Sequence, residues 1–194
     1  MIIKLTPQEM YPPQQLAVWK NGEQLNINGL AIDLANLAEG SILPATAINL
    51  PWLAAPIERV GGELVLTLYL PNGPDSTEAE RFPNDLVDVA DGLVEMPGKP
   101  ADHQFPMLGY AAIDWSQAQT ATQKAEAWAL TTLSQLRAAA DVAIAPLQDA
   151  VDLDDASPAE VEALKAWKRY RVALNRLVDQ PGYPVEIDWP EVPV

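Results

Sequence analysis

The first seventy positions hold short apolar, β-rich runs punctuated by turn residues; after residue 120 the apolar residues recur three and four apart. The first pattern predicts strands and the second helices. Met1–Leu5 and Leu16–Lys20 are β-rich runs, and Asn21-Gly22, between Trp19 and Leu25, is a hairpin turn signal. Leu25, Ile27 and Leu30 to Leu34 continue the pattern, with Asn28-Gly29 predicting a type I′ turn. Ile57–Val60, Gly61-Gly62 and Glu63–Leu70 predict the clearest hairpin. Leu64, Leu66, Leu68 and Leu70 alternate with Val65, Thr67 and Tyr69, so one face is wholly aliphatic. The expectation is a small antiparallel sheet.

Residues 71–98 break the alternation, with seven acids against one arginine and four prolines. A short helix is expected over Ser76–Phe82. Leu86–Val89 and Leu93–Met96 are expected to pair as a last hairpin over Asp91-Gly92. Pro97–Pro106, with three prolines and little apolar content, reads as a linker.

The helical pattern begins near Thr120 or Thr122. Ala125, Trp128/Ala129, Leu133, Leu136, Ala140, Ala143/Ile144 and Leu147 follow a seven-residue repeat. Pro146 lies inside it and predicts a kink or a break, because proline removes one backbone bond. After the acidic turn Asp152–Asp155, Ser157-Pro158-Ala159-Glu160 is a capping box with proline at the first helical position. Val161, Leu164, Trp167, Leu174 and Val178 then place an apolar stripe on one face. Two helices joined by so short a turn pack as an antiparallel hairpin. Pro181–Val194 holds four prolines and is expected to run extended. The fold class is therefore α+β: a β-rich domain over 1–97, a connection over 98–118, and a helical hairpin with an extended tail over 119–194.

The order of residue types in the helical part is informative. Ile144, Pro146-Leu147-Gln148, Ala150, Asp152-Leu153, Glu160, Leu164, Trp167-Lys168, Tyr170-Arg171 and Leu174-Asn175-Arg176 together resemble the C-terminal region of the caudoviral tail-fibre assembly proteins. Ile187-Asp188-Trp189-Pro190 resembles that family's ending. The likeness covers roughly residues 120 to 191, and the first hundred residues resemble small strand-rich proteins encoded near prophage tail genes. The resemblance implies a chaperone for the distal, receptor-binding end of a phage tail fibre, promoting its folding and trimerisation; some members remain on the fibre. By position it carries over Pro146, Leu147, Gln148, Trp167, Tyr170, Arg171, Asn175 and Trp189. Val178 to Gly182 and the N-terminal part depart from the family pattern, which leaves partner specificity open.

Composition narrows the chemistry. The net charge of −15 is spread over both halves and repels nucleic acid and anionic membranes. No apolar run approaches the ~20 residues of a membrane span, and the N-terminus lacks a secretory apolar segment, so the host cytoplasm is the expected location, with retention on the virion open. Cysteine is absent and His103 is the single histidine. No P-loop, HExxH or GxSxG motif occurs, nor a calcium loop. No catalytic residue, metal site or cofactor is expected, and the chain reads as a binding protein rather than an enzyme.

The candidate partner-binding residues are Trp167, Tyr170, Arg171, Asn175, Tyr183, Ile187 and Trp189, because Trp, Tyr and Arg dominate interface hot spots. Trp167, on the apolar stripe with Leu164, reads most simply as core. Arg171 either pairs with the acidic turn, Asp141 or Asp149, or reaches a partner. Trp189 either seals the hairpin or stands exposed. The sheet could add edge to edge with a fibre. The expected partner is the distal domain of a tail fibre, with self-association open. Two rivals are a structural virion component, as a fibre-tip or baseplate adaptor, and an acidic inhibitor of a host nucleic-acid-binding protein.

Overall fold

A computed structural model describes residues 1–11, 14–98 and 107–193; most of the expected linker, with His103, lies outside them. The chain divides into two compact units, Met1–Ala121 and Thr122–Val194. The first carries the strands and the second the long helices, the expected α+β class.

The first unit contains two sheets. One has the order β1 (Ile2–Glu9), β7 (Glu63–Asn72), β6 (Ile57–Val60), β5 (Ile42–Leu43); the other has β8 (Gly92–Leu93), β2 (Val18–Asn21), β3 (Gln24–Ile27), β4 (Leu30–Asp33), β9 (Gly109–Tyr110). Turn chemistry explains the local hairpins. Asn28 and Gly29, at φ 48° and 90°, form the type I′ turn between β3 and β4, and Gly61-Gly62, at 62° and 81°, form the one between β6 and β7. The first hairpin turns one residue later than expected: Asn21 pairs with Gln24, leaving Gly22, at φ 59°, as the first residue of the loop.

The sheets are mixed, where a purely antiparallel one is expected. β1 runs parallel to β7, with Ile3 beside Leu66 and Leu5 beside Leu68, and β4 runs parallel to β9. A parallel pair needs a long crossover, and here the chain between β1 and β7 builds β2 to β6 on the way. The aliphatic face of β7 is the centre of the core: Leu64, Leu66, Leu68 and Leu70 are buried against Ile3, Val18, Leu25, Ile27, Leu43 and Ile57.

Residues 86–96 do not form the expected hairpin. Leu86 exchanges backbone hydrogen bonds with Ile3 at 2.8 and 2.9 Å, and β8 pairs with β2. The short helix α1 (Glu78–Arg81) forms behind a Thr77–Glu80 capping box. From Met107 the expected connection belongs to the first unit: β9 pairs with β4, Ile113 bridges Ile48, and Gln119 bridges Ile42. Ile113 packs on the core, so this stretch has apolar reason to stay.

The second unit consists of α2 (Ala121–Asp152), α3 (Pro158–Asn175), a 3₁₀ turn (Leu177–Asp179) and the tail. α2 runs through Pro146 without a break. Proline orphans the carbonyl of Val142; Pro146 is exposed and the Val142 side chain is 75% exposed, so this face of the helix is open to water. The helix ends in a Schellman motif. Asp155 N–H donates to the Ala150 carbonyl, Asp154 N–H to that of Val151, and Asp154 takes φ 56°. α3 starts at the capping box, Glu160 N–H donating to Ser157 Oγ and Ser157 N–H to Glu160 Oε2.

Leu133, Ala140, Tyr170, Leu174 and Leu177 form the core of this unit, with Leu136, Trp167, Ile187 and Trp189 packed on it. Two stripe assignments change. Val178 is exposed and Leu177 buried, because the helix ends at Asn175 and the 3₁₀ turn shifts the phase. Of the Trp128/Ala129 pair, Ala129 is buried and Trp128 is 59% exposed.

Candidate partner-binding surface

The seven candidate residues lie on α3 and the tail. Trp167 stacks edge-on against Tyr170, with centroids 5.8 Å apart and planes at 87°. Tyr170 is buried, and its hydroxyl has no hydrogen-bond partner among the described residues. Burial pushes its phenol above the usual value, since the phenolate would be desolvated. Arg171 Nη1 donates to Asp141 Oδ1 at 2.6 Å across the hairpin, which selects one of the pairings left open by sequence. Asn175 is exposed at the end of α3.

The tail folds back instead of running extended throughout. Residues 181–185 make turns and the Tyr183–Pro184 peptide is cis. Val185 and Glu186 both donate their N–H to the Gly182 carbonyl, at 3.0 and 2.7 Å. Gln180 clamps the returning strand: its Nε2 donates to the Asp188 carbonyl and its Oε1 accepts from Asp188 N–H, each at 2.9 Å. Trp189 is thereby laid on Trp128 of α2, edge-on at 5.9 Å, and Ile187 on the helical core. Trp189 thus helps close the hairpin. Trp167, Tyr170, Ile187 and Trp189 form a packed frame, while Arg171 and Asn175 stand at its surface; Tyr183 is half-buried in the turn.

Periodicity did not single out the outer face of α3. From Lys165 onward it carries Lys165, Lys168, Arg169 and Arg176 and no acid. Lys168, Arg169, Val172, Ala173 and Arg176 line a shallow hollow of about 370 Å³. A second missed surface is a row across the five-stranded sheet, Leu93–Trp19–Asn26–Ala31–Tyr110, in register across every strand. Leu93, Trp19 and Tyr110 are exposed at 41%, 45% and 72%. Only strand pairing assembles that row, so no local signal marks it.

Edge addition finds little purchase on the first unit. β5 is bridged by Gln119, β1 is bridged by Leu86 and lacks an N–H at Pro7, and β8 and β9 are two residues each. Among the described residues no cluster of His, Asp or Glu could hold a metal ion, and no helix is long and apolar enough to cross a membrane.

The family described as Caudovirales tail fibre assembly protein, lambda gpK, matches residues 75–194, more than half of the chain and the whole of the helical unit. The chain belongs to the tail fibre assembly protein family. Among its relatives, the tail fiber assembly protein of Escherichia phage lambda is 52% identical over 63 residues, 32% of this chain and 31% of that protein. A probable tail fiber assembly protein of Acyrthosiphon pisum secondary endosymbiont phage 1 is 58% identical over 50 residues, 26% of this chain and 31% of the relative. One of Shigella phage SfV is 48% identical over 60 residues, 31% and 33% respectively. Each match thus spans about a third of these relatives' length. No solved structure matches the chain.

Proposed function

We propose that this chain binds the distal, receptor-binding end of a tail fibre in the cytoplasm of the bacterial host and assists its folding and trimerisation. The family match over residues 75–194 carries the reading, because it includes every candidate residue on α3 and the tail. Physical reasoning supports it. Intertwined β-rich trimers depend on non-local contacts that form slowly, and their unpaired strands invite aggregation meanwhile. A small acidic protein that covers such a surface keeps it soluble. The chemistry of the surface is that of recognition, with aromatic, guanidinium and amide groups and no paired nucleophile and base. On this reading Trp167, Tyr170, Ile187 and Trp189 shape the frame, while Arg171, Asn175 and Tyr183 supply contacts.

Co-expression with a tail fibre gene from the same source tests the proposal. The expected result is a soluble, trimeric fibre that pulls down this chain. A fibre equally soluble and trimeric without it would overturn the reading. Assaying purified particles for the chain separates a transient chaperone from a resident component.

A further inference from the structure

The exposed face of α3 has an uneven charge distribution. Glu162 lies near its start, and Lys165, Lys168, Arg169 and Arg176 follow towards its end, around the half-exposed Val172. Lys165 pairs with Glu162 within the helix at 2.8 Å, and Lys168 donates to the neutral Gln148 amide. Arg169 and Arg176 have no salt bridge among the described residues, although the chain holds 27 acids. Just before the helix stands the opposite surface. Leu153, 77% exposed, projects from a turn that carries Asp152, Asp154 and Asp155. One end of the hairpin is an apolar tip among carboxylates, and the other is a hollow floored by Val172 and Ala173 among cations.

We propose that a second copy of this chain docks on this face, the two α3 helices lying antiparallel about a two-fold axis. The axis falls between Glu162 and Lys165, so Glu162 of one copy faces Lys165 of the other. At ~1.5 Å per residue Val172 lies about 13 Å along α3 on one side of it, and on the other side α3 begins at Pro158, about 8 Å away, with the acidic turn just before it. Each acidic tip therefore meets the basic hollow of the opposite copy. A two-fold axis makes both contacts at once and closes the assembly at two copies. A parallel arrangement, or an antiparallel one centred further along α3, would instead set cation against cation. The helix dipole also favours bases at the end of α3, but it gives no reason for an exposed leucine among the facing carboxylates. Helix faces of this size bury less than about 1,000 Å² in total, so the dimer is weak and salt-sensitive. The inference concerns the chain alone and does not depend on fibre binding.

Sedimentation equilibrium of the whole chain tests it. In about 0.1 M salt, where a Debye length of ~10 Å screens the repulsion between two chains of net charge −15, the mass should rise with concentration from 21.1 kDa towards twice that value, and return to the monomer in about 0.5 M salt. R169E/R176E and D152K/D155K should each weaken association by about tenfold or more, with unchanged circular dichroism. Mixing the two variants should restore it, because the reversed tip of one then meets the reversed hollow of the other and the remaining native tip meets a native hollow. A chain that stays monomeric in about 0.1 M salt overturns the proposal. So does association indifferent to both reversals, or two weakened variants that do not recover when mixed.

Discussion

Arg171 on α3 and Asp141 on α2 are joined at 2.6 Å across the hairpin, with their side chains 41% and 58% exposed. A pair so open to water contributes little to stability, yet it fixes where the guanidinium points. Arg171→Ala should therefore lower the stability of the helical unit by no more than about 1 kcal/mol, and a double-mutant cycle with Asp141→Ala should give about 0.5 kcal/mol of coupling. If Arg171 also contacts the fibre, Arg171→Ala will weaken fibre rescue well beyond what this small loss explains. Rescue that merely follows the folded fraction would assign it to the scaffold.

Trp189→Ala is expected to behave differently. Its ring lies on Trp128 and the helical core, so truncation should cost about 2 kcal/mol or more and loosen the tail. Thermal or urea denaturation reads the loss. A midpoint unchanged from the parent would place Trp189 outside the packed frame.

Ser157→Ala removes the side-chain acceptor for Glu160 N–H and should destabilise α3 by about 1 kcal/mol. The Glu160 carboxyl is held below its ordinary range chiefly by the hydrogen bond from Ser157. A lowered folded-state value means stability that is present above the ordinary glutamate value near 4.5 and lost as pH falls through the folded one. The parent should therefore lose more stability than Ser157→Ala on acidification below pH 4.5, and urea midpoints at pH 3 and pH 7 check it.

Asp154 takes a left-handed conformation, φ 56°, at the position where the Schellman motif ordinarily holds glycine. Asp154→Gly relieves that strain and should stabilise the hairpin by roughly 0.5–1 kcal/mol. A destabilised variant would mean that the carboxylate has a role the backbone does not reveal.

The Tyr170 hydroxyl is buried with no partner among the described residues, and burial raises its phenol. Stability from a raised group is fully present below the unfolded value near 10 and declines as pH rises through the folded one. Tyr170→Phe should keep or raise the midpoint at pH 7, since it removes an unsatisfied polar atom, and should lessen the alkaline loss above pH 10. A drop of more than about 1 kcal/mol at pH 7 would reveal a partner for the hydroxyl.

The sequence by itself determined what depends on near neighbours. The Ser157–Glu160 box, the Asn28-Gly29 and Gly61-Gly62 turns and the aliphatic face of Glu63–Leu70 are contacts within a few residues, so their spacing specifies them. The order of residue types from Ile144 to Arg176 likewise carried the family likeness. Tertiary structure alone decided the parallel pairing of β1 with β7, the capture of Leu86 by Ile3 and the adoption of residues 107–121 by the first unit. Such pairings are competitions among distant segments for the same backbone groups, and no local pattern ranks the competitors. The same holds for the surface residues. Tyr170 and Arg171 are adjacent in sequence and look alike as hot-spot types. Only the position of α2 turns one into core and ties the other to Asp141.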